Sequence, residues 1–144
     1  MPIKSFRGRI ADGEVQSINL HTNNGMTGYK ITKFQLLPID SNETVEQSVK
    51  IYSIPQTTAT EDINFADNTL LAAGIVHANA DRDFVSPDTV IFDNMVFNQD
   101  IFITSKAGSS ARDVNYYIEL EQVKLDLSEN TVATLKDIRN IEAQ

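Results

Sequence analysis

Val114-Asn115-Tyr116-Tyr117-Ile118-Glu119-Leu120-Glu121 alternates apolar and polar residues from end to end. In an extended strand successive side chains point to opposite faces. Val114, Tyr116, Ile118 and Leu120 therefore share one face, and Asn115, Tyr117, Glu119 and Glu121 the other. One face is apolar and one wet, as in a half-buried antiparallel strand. From Val123 the parity changes, because Val123 and Leu125 sit on the odd-numbered side. A bulge there, or a strand leaving its sheet, is expected.

The same period of two recurs upstream. Lys4–Ile10 puts Phe6, Gly8 and Ile10 on one side and Arg7 and Arg9 on the other. Val15–Leu20 runs into His21-Thr22-Asn23-Asn24-Gly25, where Asn24-Gly25 readily takes positive φ and predicts a tight hairpin into the strand Tyr29–Leu37. That strand stops at Pro38, which has no N–H to give a ladder. Gln47–Ser53 reads as a shorter strand, and 55–68 as a long loop that Ile63 and Phe65 tack down. Thr69–His77 is apolar enough to be buried on both sides. Ala78–Asp88 is polar and turn-rich. Thr89–Asp93 and Val96–Ser105 read as strands, and Gly108-Ser109-Ser110 has the composition of a hairpin tip.

Only the C-terminus carries helical spacing, in Val132, Leu135 and Ile138. Ser128, Asn130 or Asp126 supplies a capping oxygen. These elements predict an all-β chain: an antiparallel β-sandwich, jelly-roll-like, of about eight strands. It forms a single domain over residues 1–144, with 1–3 as an N-terminal arm and a short C-terminal helix over 128–142.

The chain has no cysteine, which removes disulfides and thiolate metal sites and fits synthesis in a reducing cytoplasm. No apolar run follows the opening Met1–Arg7, so no signal peptide is expected, and no run approaches a membrane span. The triplet Asn42-Glu43-Thr44 has the form of a glycosylation acceptor, but reads as chance without a secretion signal. The net charge of −8 is uneven. Residues 1–33 hold Lys4, Arg7, Arg9, Lys30 and Lys33 against Asp12 and Glu14, a balance of +3; the rest carries −11. An acidic body repels phosphates, so nucleic acid is not an expected partner.

Catalytic patterns are missing. There is no Gly-x-Ser-x-Gly elbow, and the six glycines match neither phosphate-binding fingerprint. His21 and His77 are two histidines where the common zinc triad needs three ligands. Asp81-Arg82-Asp83 with Asp88 clusters oxygens, but Ser86 and Phe92 stand where a calcium-binding helix-loop-helix needs glycine and glutamate. Glu119 and Glu121 share a face and read as solvated rather than as a glycosidase pair. Phe34, Phe92, Phe97 and Phe102 read as core. Tyr29, Tyr52 and Tyr117 are candidates for a sugar-stacking platform, Tyr117 foremost because it lies on the wet face. No enzyme activity, metal or cofactor is expected.

Four phrases carry a resemblance. They are Phe6-Arg7-Gly8-Arg9-Ile10-Ala11-Asp12-Gly13, the block Asn64–Gly74, Phe97-Asn98-Gln99-Asp100-Ile101-Phe102-Ile103-Thr104, and the ending Asn115–Leu125 with Leu127-Ser128-Glu129-Asn130. Together they resemble small virion structural proteins of marine tailed bacteriophages, of the capsid decoration or cement type. The resemblance implies a structural protein on the capsid surface, made in the host cytoplasm, bound to the major capsid protein and to itself as a homotrimer. A neck or tail component and a carbohydrate-binding β-sandwich are the alternatives. It transfers no site residues. The candidate partner contacts come from charge: Lys4, Arg7 and Arg9, clustered at the start of an acidic chain, either meet an acidic partner or pair with the chain's own acids.

Overall fold

The computed structural model describes residues 3–20, 27–39, 45–79, 84–85, 88–92, 96–108 and 112–124. Nine strands lie within them: β1 (Ile3–Ile10), β2 (Val15–Ile18), β3 (Thr27–Pro38), β4 (Val45–Tyr52), β5 (Leu70–Asn79), β6 (Phe84–Val85), β7 (Asp88–Ile91), β8 (Ile101–Ala107) and β9 (Val114–Lys124). All pairings are antiparallel. One sheet has three strands in the order β1-β9-β3. The other has six, in the order β2-β8-β4-β5-β6, with β7 also paired to β5.

The pairs are nested along the chain. β1 pairs with β9, β2 with β8, and β4 with β5, while β3 contacts β7 from the other sheet, β7 itself pairing with β5. A long antiparallel ribbon, folded back between β4 and β5 and then rolled, gives this order, which is that of a jelly roll. Rolling sends the chain to the other sheet at β1–β2, β2–β3, β3–β4 and β8–β9. β2 and β3 belong to different sheets and do not pair, so they do not form the expected hairpin. β8 and β9 also belong to different sheets, so the hairpin expected between them is not formed either.

The core forms where the inner faces meet. Val114, Tyr116, Ile118 and Leu120 are buried together on β9, opposite Ile10, Gly8, Phe6 and Lys4 of β1 and Pro38, Leu36, Phe34 and Ile31 of β3. Val45, Val49, Ile51, Leu71, Ala72, Val76, Ile101 and Ile103 meet them from the larger sheet. At Gly74 the sheets pack closely, since an added Cβ would lie 2.7 Å from Leu36 Cδ1 on β3 and 2.9 Å from Thr89 Cγ2 on the neighbouring β7. Gly8 lets the Tyr116 ring pass beneath β1, since a Cβ there would sit 2.7 Å from the Tyr116 hydroxyl.

The irregularity expected at Val123 is absent. β9 keeps its register with β3 through Lys124, and the described β1 ladder ends earlier, at the Ile3–Glu121 pair. The bulge lies on β3 instead, between Ile31 and Lys33. Thr32 is the extra residue, and its hydroxyl donates to the Glu119 carbonyl at 3.2 Å. The bulge shifts parity: Tyr29 and Ile31 face inward before it, Phe34 and Leu36 after it.

The loop 53–69 covers the outside of the larger sheet, but Ile54 and Ala59 are its buried anchors, while Phe65 is exposed and meets Phe92 edge-on at 5.1 Å. Lys50 is the main polar anchor. Only 1% exposed, it donates to the Thr60 hydroxyl at 2.8 Å and to the Asp62 carbonyl, and its ammonium lies 5.6 Å from the Tyr52 ring centre. A buried cation needs such partners, because an unmatched one is expensive to desolvate.

Other expectations need correction. The strand expected over Val96–Ser105 is β8, Ile101–Ala107; Phe97 makes only an isolated bridge, its N–H and C=O both exchanged with Tyr29. Phe34 and Phe97 are core, whereas Phe92 and Phe102 are half-buried. The polar stretch Ala78–Asp88 contains β6. Ile3 belongs to β1 rather than to an arm; Met1, Pro2 and the expected helix over 128–142 lie outside the described residues.

Candidate interaction face

The outer face of β1-β9-β3 is a ladder of rungs fixed by register. Ile3, Glu121 and Lys30 form one rung, and Ser5, Glu119 and Lys33 the next. Arg7, Tyr117 and Gln35 follow, then Arg9, Asn115 and Leu37. Lys30 pairs with Glu121 at 3.6 Å and Lys33 with Glu119 at 3.5 Å. These ion pairs give Glu119 and Glu121 a structural role. The other two rungs flank an open depression of about 580 Å³, lined by Arg7, Arg9, Gln35, Leu37, Asn115 and Tyr117 with backbone at its floor. Leu37 is 61% exposed at its rim.

The three basic candidates separate. Lys4 lies at the rim of the inner face, donating to the Tyr29 hydroxyl at 3.3 Å with its ammonium 5.4 Å from that ring centre. Arg9 pairs with Asp113 at 3.2 Å, so one internal acid does engage the group, though neither Asp12 nor Glu14 does. Asp12 accepts from the Ala107 N–H at 2.8 Å, and Glu14 from the Ala11 N–H at 2.8 Å; both hold the β1–β2 turn, in which Gly13 takes φ 78°. That left-handed φ suits glycine. Arg7 is exposed and makes no ion pair among the described residues. The ladder carries four basic side chains against two acidic ones within a chain of net charge −8.

This face was only partly visible in the sequence. Parity in the sequence assigns Arg7, Arg9 and Tyr117 to outer faces, but gives no sign of Leu37 and Gln35 beside them. The bulge at Thr32 is what turns Leu37 outward, and the adjacent polar pair Thr32-Lys33 was the available signal. The tyrosine platform does not form: Tyr29 is in the core, Tyr52 is on the other sheet, and Tyr117 alone reaches the depression. His77 lies 3.4 Å from Glu46, and His21 is outside the described residues, as are Asp81 and Asp83. Among the described residues no three acids or histidines cluster around a metal-sized space. No helix among them is long and apolar enough to cross a membrane.

Tyr116 connects this sheet to β2. Its hydroxyl donates to Gln16 Oε1 at 2.9 Å, and Gln16 Nε2 donates to the Arg9 carbonyl at 2.8 Å. Burial first, and the Glu14 charge second, raise the Tyr116 phenol above its ordinary 10.0; burial and Asp67 do the same for Tyr52. The unfolded chain therefore loses these protons first, and stability falls as pH climbs past about 10. Lys50 acts oppositely, since burial lowers its pKa from 10.5 against the pull of Asp62 and Asp67, and its contribution grows toward pH 10.5. Tyr116→Phe should flatten the alkaline fall relative to wild type, even though losing the Gln16 bond lowers its neutral-pH stability. Denaturant midpoints between about pH 9 and pH 11 check this. An unchanged slope would mean that Tyr116 ionises freely in the folded state.

No family model matches the chain, and no curated protein matches it significantly. Among solved structures it is similar to one of Bacillus endospore appendages, described as a novel family of disulfide-linked pili. The identity is 12%, covering 86% of this chain and 89% of that one, with a TM-score of 0.36.

Proposed function

We propose that this chain is a non-catalytic structural protein of a tailed-phage virion that decorates or cements the capsid by protein–protein contacts. The observation that supports this best is the outer face of β1-β9-β3. There Arg7, Tyr117 and exposed Leu37 surround a shallow depression on the basic side of an acidic chain. Tyrosine and arginine are enriched where proteins bind proteins, and a basic face steers toward an acidic surface. The phrases shared with marine phage virion proteins supply the setting, with the major capsid protein as partner and the capsid surface as location. A jelly roll is compatible, since viral capsid and lectin domains use it, but a fold alone does not name a function. A homotrimer at the local threefold positions of the shell is the assembly we favour.

Imaging purified particles tests this reading. The expected result is many copies spread over the head, each lying on the major capsid protein. A single ring at the neck or tail would move the protein to a connector role. Absence from purified particles would overturn the reading.

A further inference from the structure

Among the described residues strand β1 has a neighbour on one side only. It pairs with β9 from Ile3 to Ile10, and among the described residues no strand runs along its other edge. In an antiparallel ladder each residue directs both its N–H and its C=O to the same neighbour, and alternate residues face alternate sides. The Arg9 carbonyl accepts the Gln16 amide and so points away from β9. Ile3, Ser5 and Arg7 share that parity. Their outward backbone groups meet no partner among the described residues, and Gln16 closes the edge at Arg9. An open stretch of backbone donors and acceptors is a template for another strand.

The charge of this edge selects the occupant. Two copies joined through β1 would bring Arg7 and Arg9 of one close to those of the other, and like charges facing across a strand pair are destabilising. An acidic strand meets no such repulsion. Arg7, which makes no ion pair among the described residues, can grip a carboxylate in two-pronged fashion. We infer that the β1 edge accepts an extended acidic segment of a partner protein as a fourth strand of the β1-β9-β3 sheet, hydrogen-bonded to Ile3, Ser5 and Arg7. The inference shares with the proposed function a protein partner and the use of Arg7, but its test reads backbone exchange at the β1 edge and uses no particles, so the two fail separately.

The probe is a capped peptide of alternating glutamate and threonine, with a lysine–threonine peptide as its counterpart. Residue-resolved amide exchange on the full chain is the readout. In the free protein the Ile3, Ser5 and Arg7 amides exchange fast, and those of Lys4, Phe6 and Gly8 slowly. Glutamate peptide at about ten times its dissociation constant should slow the first three about tenfold. The lysine peptide should leave them unchanged. Ser5→Pro removes one outward N–H and no bond to β9, so it should keep the fold and abolish the slowing. Arg7→Glu, which keeps every backbone group, should reverse the preference between the peptides and decides the matter if Ser5→Pro misfolds. Fast exchange at Ile3, Ser5 and Arg7 under millimolar glutamate peptide, or equal slowing by both peptides, overturns the inference.

Discussion

Ile118→Ala is expected to lower the stability of the folded chain by about 2–5 kcal/mol. Ile118 is completely buried, with Phe6 beside it on β1 and Phe34 on β3. Its side chain points into the layer where the two sheets meet. Truncation removes apolar contact and leaves a cavity. The cavity is hard to close, because β9 is hydrogen-bonded along both edges and cannot shift inward without breaking two ladders. Denaturant unfolding should show a lower midpoint at an unchanged slope, the signature of lost packing rather than a changed unfolded state. Tyr117→Ala, one residue on and facing outward, should cost far less. A near-neutral Ile118→Ala would place that residue outside the core.

That contrast between neighbours was legible from the sequence, because the two-residue period assigns faces without knowledge of any partner strand. The order of strands was not. Turn composition such as Asn24-Gly25 or Gly108-Ser109-Ser110 reports that the chain changes direction, but not whether the next strand joins the same sheet. Here it does not at β2–β3 and β8–β9, where the sequence composition predicts hairpins. β6 is two residues long, too short to show a period. Lys50 gives no signal in the sequence, because a lysine between valine and isoleucine looks like any wet-face residue; the loop that buries it comes from ten residues downstream. Arg7 and Arg9 were correctly placed on one face. The pairing of Arg9 with Asp113 and the closing of Lys4 over Tyr29 depend on β3 and on the approach to β9, which lie far along the chain.

Reversing Arg7 and removing the exposed apolar group of Leu37 is expected to abolish docking while sparing the fold. Arg9 is best left intact, since a glutamate there would face Asp113 and disturb the sheet itself. Both Arg7 and Leu37 are exposed, so the Arg7→Glu/Leu37→Ser chain should unfold at nearly the wild-type denaturant midpoint. At an interface the loss of one charged hydrogen bond and one buried leucine together costs about 3 kcal/mol or more, at least about a hundredfold in affinity. Ile75 and Asp88 are register partners on the outside of the larger sheet, with Ile75 48% exposed, so Ile75→Ser/Asp88→Lys removes a matched group from the opposite surface.

The most direct measurement is therefore the occupancy of each of these purified chains on undecorated capsids, taken across a series of salt concentrations. Wild type and Ile75→Ser/Asp88→Lys should bind to the same level and weaken together as salt rises, while Arg7→Glu/Leu37→Ser stays in solution. Wild-type occupancy by Arg7→Glu/Leu37→Ser would contradict the assignment of docking to the β1-β9-β3 face.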